Sequence, residues 1–158
     1  MNDLKKNYIN YIICLLIILS AFFLDRFTKH EIIKLASESA TYVNDFINFD
    51  LTWNTGIGFG LLSSKSNLIY NLITGIIGTV VVFIIYLIVK SKLIDKFLFS
   101  LIIGGAIGNL YDRLVYFAVP DFIDLHYKNF HWFTFNVADI FITAGIITLI
   151  AKDLLQKK

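Results

Sequence analysis

Four long stretches almost free of charge dominate this chain, at residues 8–24, 68–89, 97–111 and 133–151. An α-helix rises 1.5 Å per residue, so crossing a hydrocarbon layer of about 30 Å takes roughly 20 apolar residues, with about 17–25 tolerated. The second and fourth stretches meet that length and the first does so narrowly. The third is short, but it leads through Leu110-Tyr111 into Asp112-Arg113, whose side chains can reach an interface or a polar interior. The sequence therefore predicts an all-α integral membrane protein with four transmembrane helices. Extended to their flanking residues, the spans are expected at about 8–26, 67–90, 96–113 and 135–153. Hydrophobic residues make up 57% of the chain, above the roughly 45–50% of a soluble domain. Nothing reads as a linker, so residues 1–158 are expected to form a single membrane-embedded domain.

Lysines near the ends of these stretches set an orientation. Lys5 and Lys6 precede the first, Lys90, Lys92 and Lys96 separate the second from the third, and Lys152, Lys157 and Lys158 follow the fourth. The remaining segments carry Arg26, Lys29, Lys34, Lys65, Arg113 and Lys128, spread thinly among acids. Both termini should be cytoplasmic, with Asp25, Asp112, Asp121 and Asp139 towards the outer face. The first stretch superficially resembles a signal peptide. It is longer than a usual hydrophobic region and no small-x-small cleavage site follows, so an uncleaved span is expected. The one cysteine, Cys14, excludes an internal disulfide and reads as a small buried residue. Because Ile13 precedes it, Cys14 is not read as a lipid-modification site.

The outer segments, about 40–62 and 114–134, are not featureless. From Ile47 to Asn54, Ile47, Phe49, Leu51 and Trp53 alternate with Asn48, Asp50, Thr52 and Asn54, the period of a strand with one covered face. A glycine-rich turn, Asn54-Thr55-Gly56-Ile57-Gly58-Phe59-Gly60, follows and should lead into a second strand. Residues 131–135 should add a further short strand. A small extracytoplasmic β-sheet platform is the expected result. In the third span, Gly104-Gly105-Ala106-Ile107-Gly108 carries the spacing of small residues that lets helices approach closely in lipid.

Asp139 sits inside the last apolar stretch, where a charge costs roughly 2.5–3.5 kcal/mol and marks a functional site by default. Asp121 lies among Val119, Pro120, Phe122 and Ile123. Should these two acids meet, one proton would be shared between them, the state an aspartyl hydrolase needs. One carboxylate then takes a proton from water while its protonated partner polarises the scissile carbonyl. Asn109 and Asp112 are three residues apart, as are Asn136 and Asp139, so two helices should turn an Asn–Asp face to one pocket. Asp112 with Arg113, and Asp25 with Lys29, read as ion pairs that support buried charge, although Lys29 could also extend to the interface. His126 and His131 invite a zinc reading, but there is no HExxH and their spacing fixes no geometry, so surface or interface histidines are preferred. The glycine-rich turn lacks the Lys-Ser/Thr of a phosphate loop, and Ser63-Ser64-Lys65 reads as a solvated turn. No metal, cofactor or nucleic acid is expected. A small proton- or ion-coupled transporter is the alternative that intramembrane acids leave open.

Five segments in register resemble the lipoprotein signal peptidase (signal peptidase II) family: Leu24-Asp25-Arg26-Phe27-Thr28-Lys29; Asn54-Thr55-Gly56-Ile57-Gly58-Phe59-Gly60; the run from Gly104 to Arg113; Val119-Pro120-Asp121-Phe122-Ile123-Asp124; and Phe135-Asn136-Val137-Ala138-Asp139. The resemblance implies an aspartic endopeptidase of the bacterial cytoplasmic (inner) membrane. Such an enzyme removes signal peptides from diacylglyceryl-modified prolipoproteins, cutting before the lipidated cysteine among membrane lipids. It places the catalytic pair on Asp121 and Asp139. Asn109, Arg113 and Asn136 are implied as supporting or substrate-contacting residues, with Asn54, Gly56, Asp25, Lys29 and Asp112 in further support. It also implies an amphipathic segment over the site; oligomeric state is left open, a monomer being compatible. Three positions depart from the family pattern: Arg26 stands for Gln, Ile57-Gly58 for two alanines, and Pro120 for valine. Pro120 removes a backbone donor beside Asp121.

Overall fold

A computed structural model describes residues 2–35, 41–56 and 67–156. Its elements run α1 (Asn2–Leu35), β1 (Thr41–Asn44), β2 (Ile47–Asn54), α2 (Asn67–Lys90), α3 (Leu93–Tyr116), β3 (Val119–Tyr127), β4 (Phe130–Phe135) and α4 (Val137–Gln156). The molecule is mostly helical, with one small antiparallel sheet ordered β1-β2-β3-β4.

Helix α3 is the axis of the bundle and packs against α1, α2 and α4. Two glycines explain how it touches α1 and α4 at once. A Cβ on Gly104 would lie 2.6 Å from Ala21 Cβ and 2.8 Å from the Ile18 carbonyl of α1; one on Gly105 would lie 2.6 Å from the Ala138 carbonyl of α4. Backbone thus meets backbone on both sides, the packing that small residues permit in lipid. Cys14 is buried with Ile88 and Ile103 in the small apolar core between α1, α2 and α3.

The outward faces are apolar: Leu72, Val82 and Phe83 on α2 and Ile147 and Leu154 on α4 are all exposed. So continuous an apolar exterior is a lipid-facing surface. Three helices, α1, α2 and α3, are long and apolar enough to cross a membrane by length and composition. In α4 the longest charge-free run is residues 140–151, between Asp139 and Lys152, so four membrane-crossing helices are not established by length and composition.

Strand β2 has the bounds that its alternation predicts, and β4 contains the segment expected at 131–135. The strand expected after the glycine-rich turn falls in residues 57–66, outside the described residues. Helix α1 continues nine residues past the expected limit at 26, since no glycine or proline interrupts it. The last apolar stretch divides: residues 133–135 belong to β4, Asn136 links, and the helix begins at Val137. Asp139 therefore lies in the first turn of α4 and not within its length.

Strand β3 is the element the sequence conceals. Two aspartates and a proline interrupt its apolar pattern, and much of it is buried, so period-two alternation is not visible. It pairs with β2 along its length, from Asn54 opposite Val119 to Ile47 opposite Leu125, while β4 joins only from Ile123 onward. Pro120 thus occupies a stretch with a neighbour on one side alone, where a residue lacking an N–H is tolerated.

Candidate active site

Asp121, from β3, and Asp139, from α4, line one cavity of about 250 Å³ together with Asn54, Asn109, Asn136 and Arg113. Ile77, Ala106, Val119, Ile142 and Thr143 supply the rest of its wall. Residues remote in sequence are brought here by two routes. The β2–β3 pairing sets Asn54 beside Asp121, and the close α3–α4 contact sets Asn109 beside Asp139.

Each of the four carboxylate oxygens accepts an N–H. Asp121 Oδ2 accepts from Asn54 Nδ2 (2.8 Å) and Oδ1 from Asn136 Nδ2 (2.6 Å). Asp139 Oδ1 accepts from Asn109 Nδ2 (2.9 Å) and Oδ2 from the backbone N–H of Asn136 (3.2 Å). All three asparagines are oriented by the same device, a donor that holds the carbonyl end and leaves the NH₂ for an acid. For Asn54 the donor is the Gly56 N–H (2.8 Å), for Asn109 it is Lys29 Nζ (2.7 Å), and for Asn136 it is the Asp139 N–H (3.0 Å). The last pair is reciprocal. Asn136 is the residue preceding α4 and Asp139 its third, so their bonds form a capping box closing the helix start. The three-residue spacing reflects this cap rather than two residues on one helical face.

Asp121 is only 3% exposed. Burial pushes its pKa up to about 6 from 3.8, and the nearby Asp139 charge adds to this; Asn54, Asn136 and Lys29 act in the opposite sense.

Behind the cavity lies a cluster of two cations and two anions. Lys29 is fully buried and donates to Asp25 Oδ2 (2.8 Å), Asp112 Oδ2 (2.7 Å) and Asn109. It therefore does not extend to an interface. Arg26 pairs with the other oxygen of Asp112 and lies over the Tyr111 ring, 4.7 Å from its centroid. Asp25 Oδ1 accepts the Ala138 N–H (3.0 Å), so α1 caps α4. The Asp25–Lys29 pair matches its sequence spacing. The pairing expected between Asp112 and Arg113 does not form, because adjacent helical residues point in different directions. Arg113 instead donates to the Gly56 carbonyl and stacks on Tyr70, whose hydroxyl donates to the Arg113 carbonyl (2.8 Å). Its Nε and Nη1 are buried without a hydrogen-bond partner among the described residues.

All ten sequence-selected residues thus contribute to this cavity or its support, through side chains or, for Gly56, through backbone groups. The sequence did not reveal the wall residues Ile77, Ala106, Ile142 and Thr143, which look like any other residues of an apolar helix. Nor did it reveal that Arg26 shares Asp112. Ile57 and Gly58 lie outside the described residues.

Comparison with known proteins agrees with this geometry. The family model described as Signal peptidase (SPase) II matches residues 17–155. A lipoprotein signal peptidase of Pelagibacter ubique (strain HTCC1062) is 51% identical, over 95% of this chain and 92% of its own length. One from Rickettsia felis is 40% identical over 98% of this chain and 81% of its own. A solved bacterial membrane enzyme superposes with a TM-score of 0.76 at 29% identity, covering 92% of this chain and 89% of that one. An integral membrane protein matched over nearly its whole length in sequence and in fold, the chain belongs to the signal peptidase II family, proteases of lipoprotein processing.

Proposed function

We propose that Asp121 and Asp139 are the catalytic pair of this signal peptidase II. The substrate would be a diacylglyceryl-modified prolipoprotein, cut before its lipidated cysteine. The observation that carries this reading is the convergence of the two acids on one cavity, every oxygen held by an N–H donor.

Asp121 is assigned as the base and Asp139 as the acid of a pair that shares one proton. Water between them gives a proton to Asp121 as its oxygen bonds to the scissile carbonyl carbon. Asp139 donates its proton to the carbonyl oxygen, forming a neutral tetrahedral diol. Asp121 then protonates the amide nitrogen, the C–N bond breaks, and a diol hydroxyl returns its proton to Asp139. The products are a new carboxyl on the signal peptide and a new amine on the cysteine. Arg113 Nε and Nη1, buried at the cavity and unpartnered among the described residues, are available to a bound peptide carbonyl.

In this reading α4 crosses the membrane as a fourth span, in one membrane-embedded unit. Its apolar residues 140–151 lie between Asp139 at the outer boundary and Lys152 at the inner one. Lysines at the ends of the apolar stretches then place both termini in the cytoplasm and the cavity at the extracytoplasmic face. Substrate acyl chains would lie among the membrane lipids against the exposed faces of the bundle.

The test is cleavage of a lipidated prolipoprotein by purified Asp121→Asn and Asp139→Asn variants that insert and melt like the parent. Each should lose about 10³-fold or more in turnover. Undiminished turnover in either removes that residue from the reaction.

A further inference from the structure

On the sheet, outside the residues lining the cavity, three potential metal ligands from two strands converge. Asp124 and His126 belong to β3 and His131 to β4, where His131 is the register partner of His126. One ligand atom from each lies within 4.8 Å of the others. The imidazoles are stacked at 5.3 Å. His131 Nδ1–H donates to Asp124 Oδ2 (2.7 Å), while His126 Nδ1 stands 3.7 Å from that same oxygen, too far for a hydrogen bond. His126 is only 5% exposed, and its Nδ1 is buried with no hydrogen-bond partner among the described residues. A buried ring nitrogen normally finds a partner, so this one calls for an explanation. On the adjacent strand Asn48 is the register partner of Asp124, so the two share a face. Asn48 Oδ1 is a second buried acceptor without a partner among the described residues.

We propose that Asp124, His126 and His131 form a binding site for a divalent transition-metal ion of the zinc class, with Asn48 Oδ1 or water as its fourth ligand. Two imidazoles and one carboxylate select zinc-class ions over calcium or magnesium, which take oxygen ligands. Tetrahedral bonds of about 2.0–2.2 Å place ligand atoms roughly 3.3–3.6 Å apart, so the present spacing needs only small side-chain rotations. The proton on His131 Nδ1 is released on binding, as metal ligation by histidine requires. His131, 56% exposed, gives the ion its route in. The ion would cross-link β3 to β4 three residues beyond Asp121. Its role is thus to brace the strand carrying that acid, and it takes no part in hydrolysis. His131 is exposed as a surface histidine would be, whereas His126 is buried, because the β3–β4 hairpin folds one over the other.

The test uses the full chain in detergent, carrying a histidine-free affinity tag and stripped with a chelator. Co²⁺ serves as the optical probe, with Zn²⁺ and Ca²⁺ as competitors. The expected result is saturation at one Co²⁺ per chain, displacement by Zn²⁺ but not Ca²⁺, and a Zn²⁺-dependent rise in melting temperature. His126→Gln and His131→Gln should each weaken binding about tenfold or more, whereas His30→Gln should leave it unchanged. His131→Gln alters an exposed side chain, and its metal-free melting should match the parent, so its loss of binding reports ligation. Absence of saturable binding, displacement by Ca²⁺, or weakening in only one of the two variants overturns the site.

Discussion

Lys29→Met removes one cation from a cluster that is neutral as it stands, two positive charges (Arg26, Lys29) facing two negative (Asp25, Asp112). Lys29, Asp25 and Asp112 have fully buried side chains, and that of Arg26 is 16% exposed. Water therefore screens the resulting net negative charge poorly. Breaking a buried ion pair by removing one partner costs about 3–5 kcal/mol. For a chain of this size each kcal/mol is worth about 2–4 °C, so the apparent melting temperature should fall by about 6–20 °C. Adding Asp25→Asn then has an opposite effect in the two backgrounds. In the parent it unbalances the cluster and lowers the melting temperature. In Lys29→Met it restores neutrality while its carbonyl oxygen still accepts the Ala138 N–H, so about 2 kcal/mol or more should return, within the range of coupling between contacting groups. The assay is a two-by-two thermal-unfolding cycle of detergent-solubilised protein. A double variant melting at or below Lys29→Met would refute the charge-balance argument. It would leave packing and the hydrogen bond to Asn109 as the roles of the lysine.

Asn54→Ala removes a donor that stabilises ionised Asp121, so the acid limb of the kcat/KM profile, near pH 6 in the parent, should move to higher pH; an unmoved limb would falsify the assignment of Asp121 as base. The same raised pKa has a consequence for stability. The native state holds this proton more tightly than the unfolded chain, so the contribution of Asp121 to stability is greatest below about pH 3.8. It declines as pH rises to about 6, and Asp121→Asn should abolish that slope in pH-dependent melting. Asn136→Ser keeps an oxygen to cap α4 but loses the N–H given to Asp121; melting should change by less than about 1 kcal/mol while turnover drops severely, and a parallel loss of both would contradict the dual role. Gly105→Ala drives a methyl to 2.6 Å from the Ala138 carbonyl, so α3 and α4 must separate at about 1–3 kcal/mol, read as a lower melting temperature.

How far the sequence disclosed this molecule depended on whether a signal was local. Strand β2 is legible because its alternation is complete within eight residues, and α2 because its apolar run is unbroken. Strand β3 is hidden because the residues that make it useful, Pro120, Asp121, Asp124 and His126, interrupt the pattern that would reveal it. Charged residues stand out in apolar surroundings, but most of their partners do not. The spacing of Asp25 and Lys29 foretold their pair, whereas Asp112 took Lys29 and Arg26 from another helix rather than its neighbour Arg113. The spacing of Asn136 and Asp139 reads as a helical face; only the position of the helix start shows that they form a cap. Burial of His126 beneath His131 follows from hairpin register, which the four intervening residues do not encode by themselves.

The unequal seams of the bundle bear on how a bulky substrate gets in. Helices α1, α3 and α4 are locked together where glycine lets main chains abut, and that wall has no slack to give. Helix α2 leans chiefly on α3, and Gly75 and Gly78 have no atom within reach of a would-be side chain, yet Ile77 closes one flank of the cavity. Displacing α2 would therefore disturb fewer close backbone contacts than displacing α1 or α4. Tethering α2 to α4 with an engineered cross-link should halt processing of large clients while sparing the locked side, and undisturbed processing would mean that the door lies elsewhere.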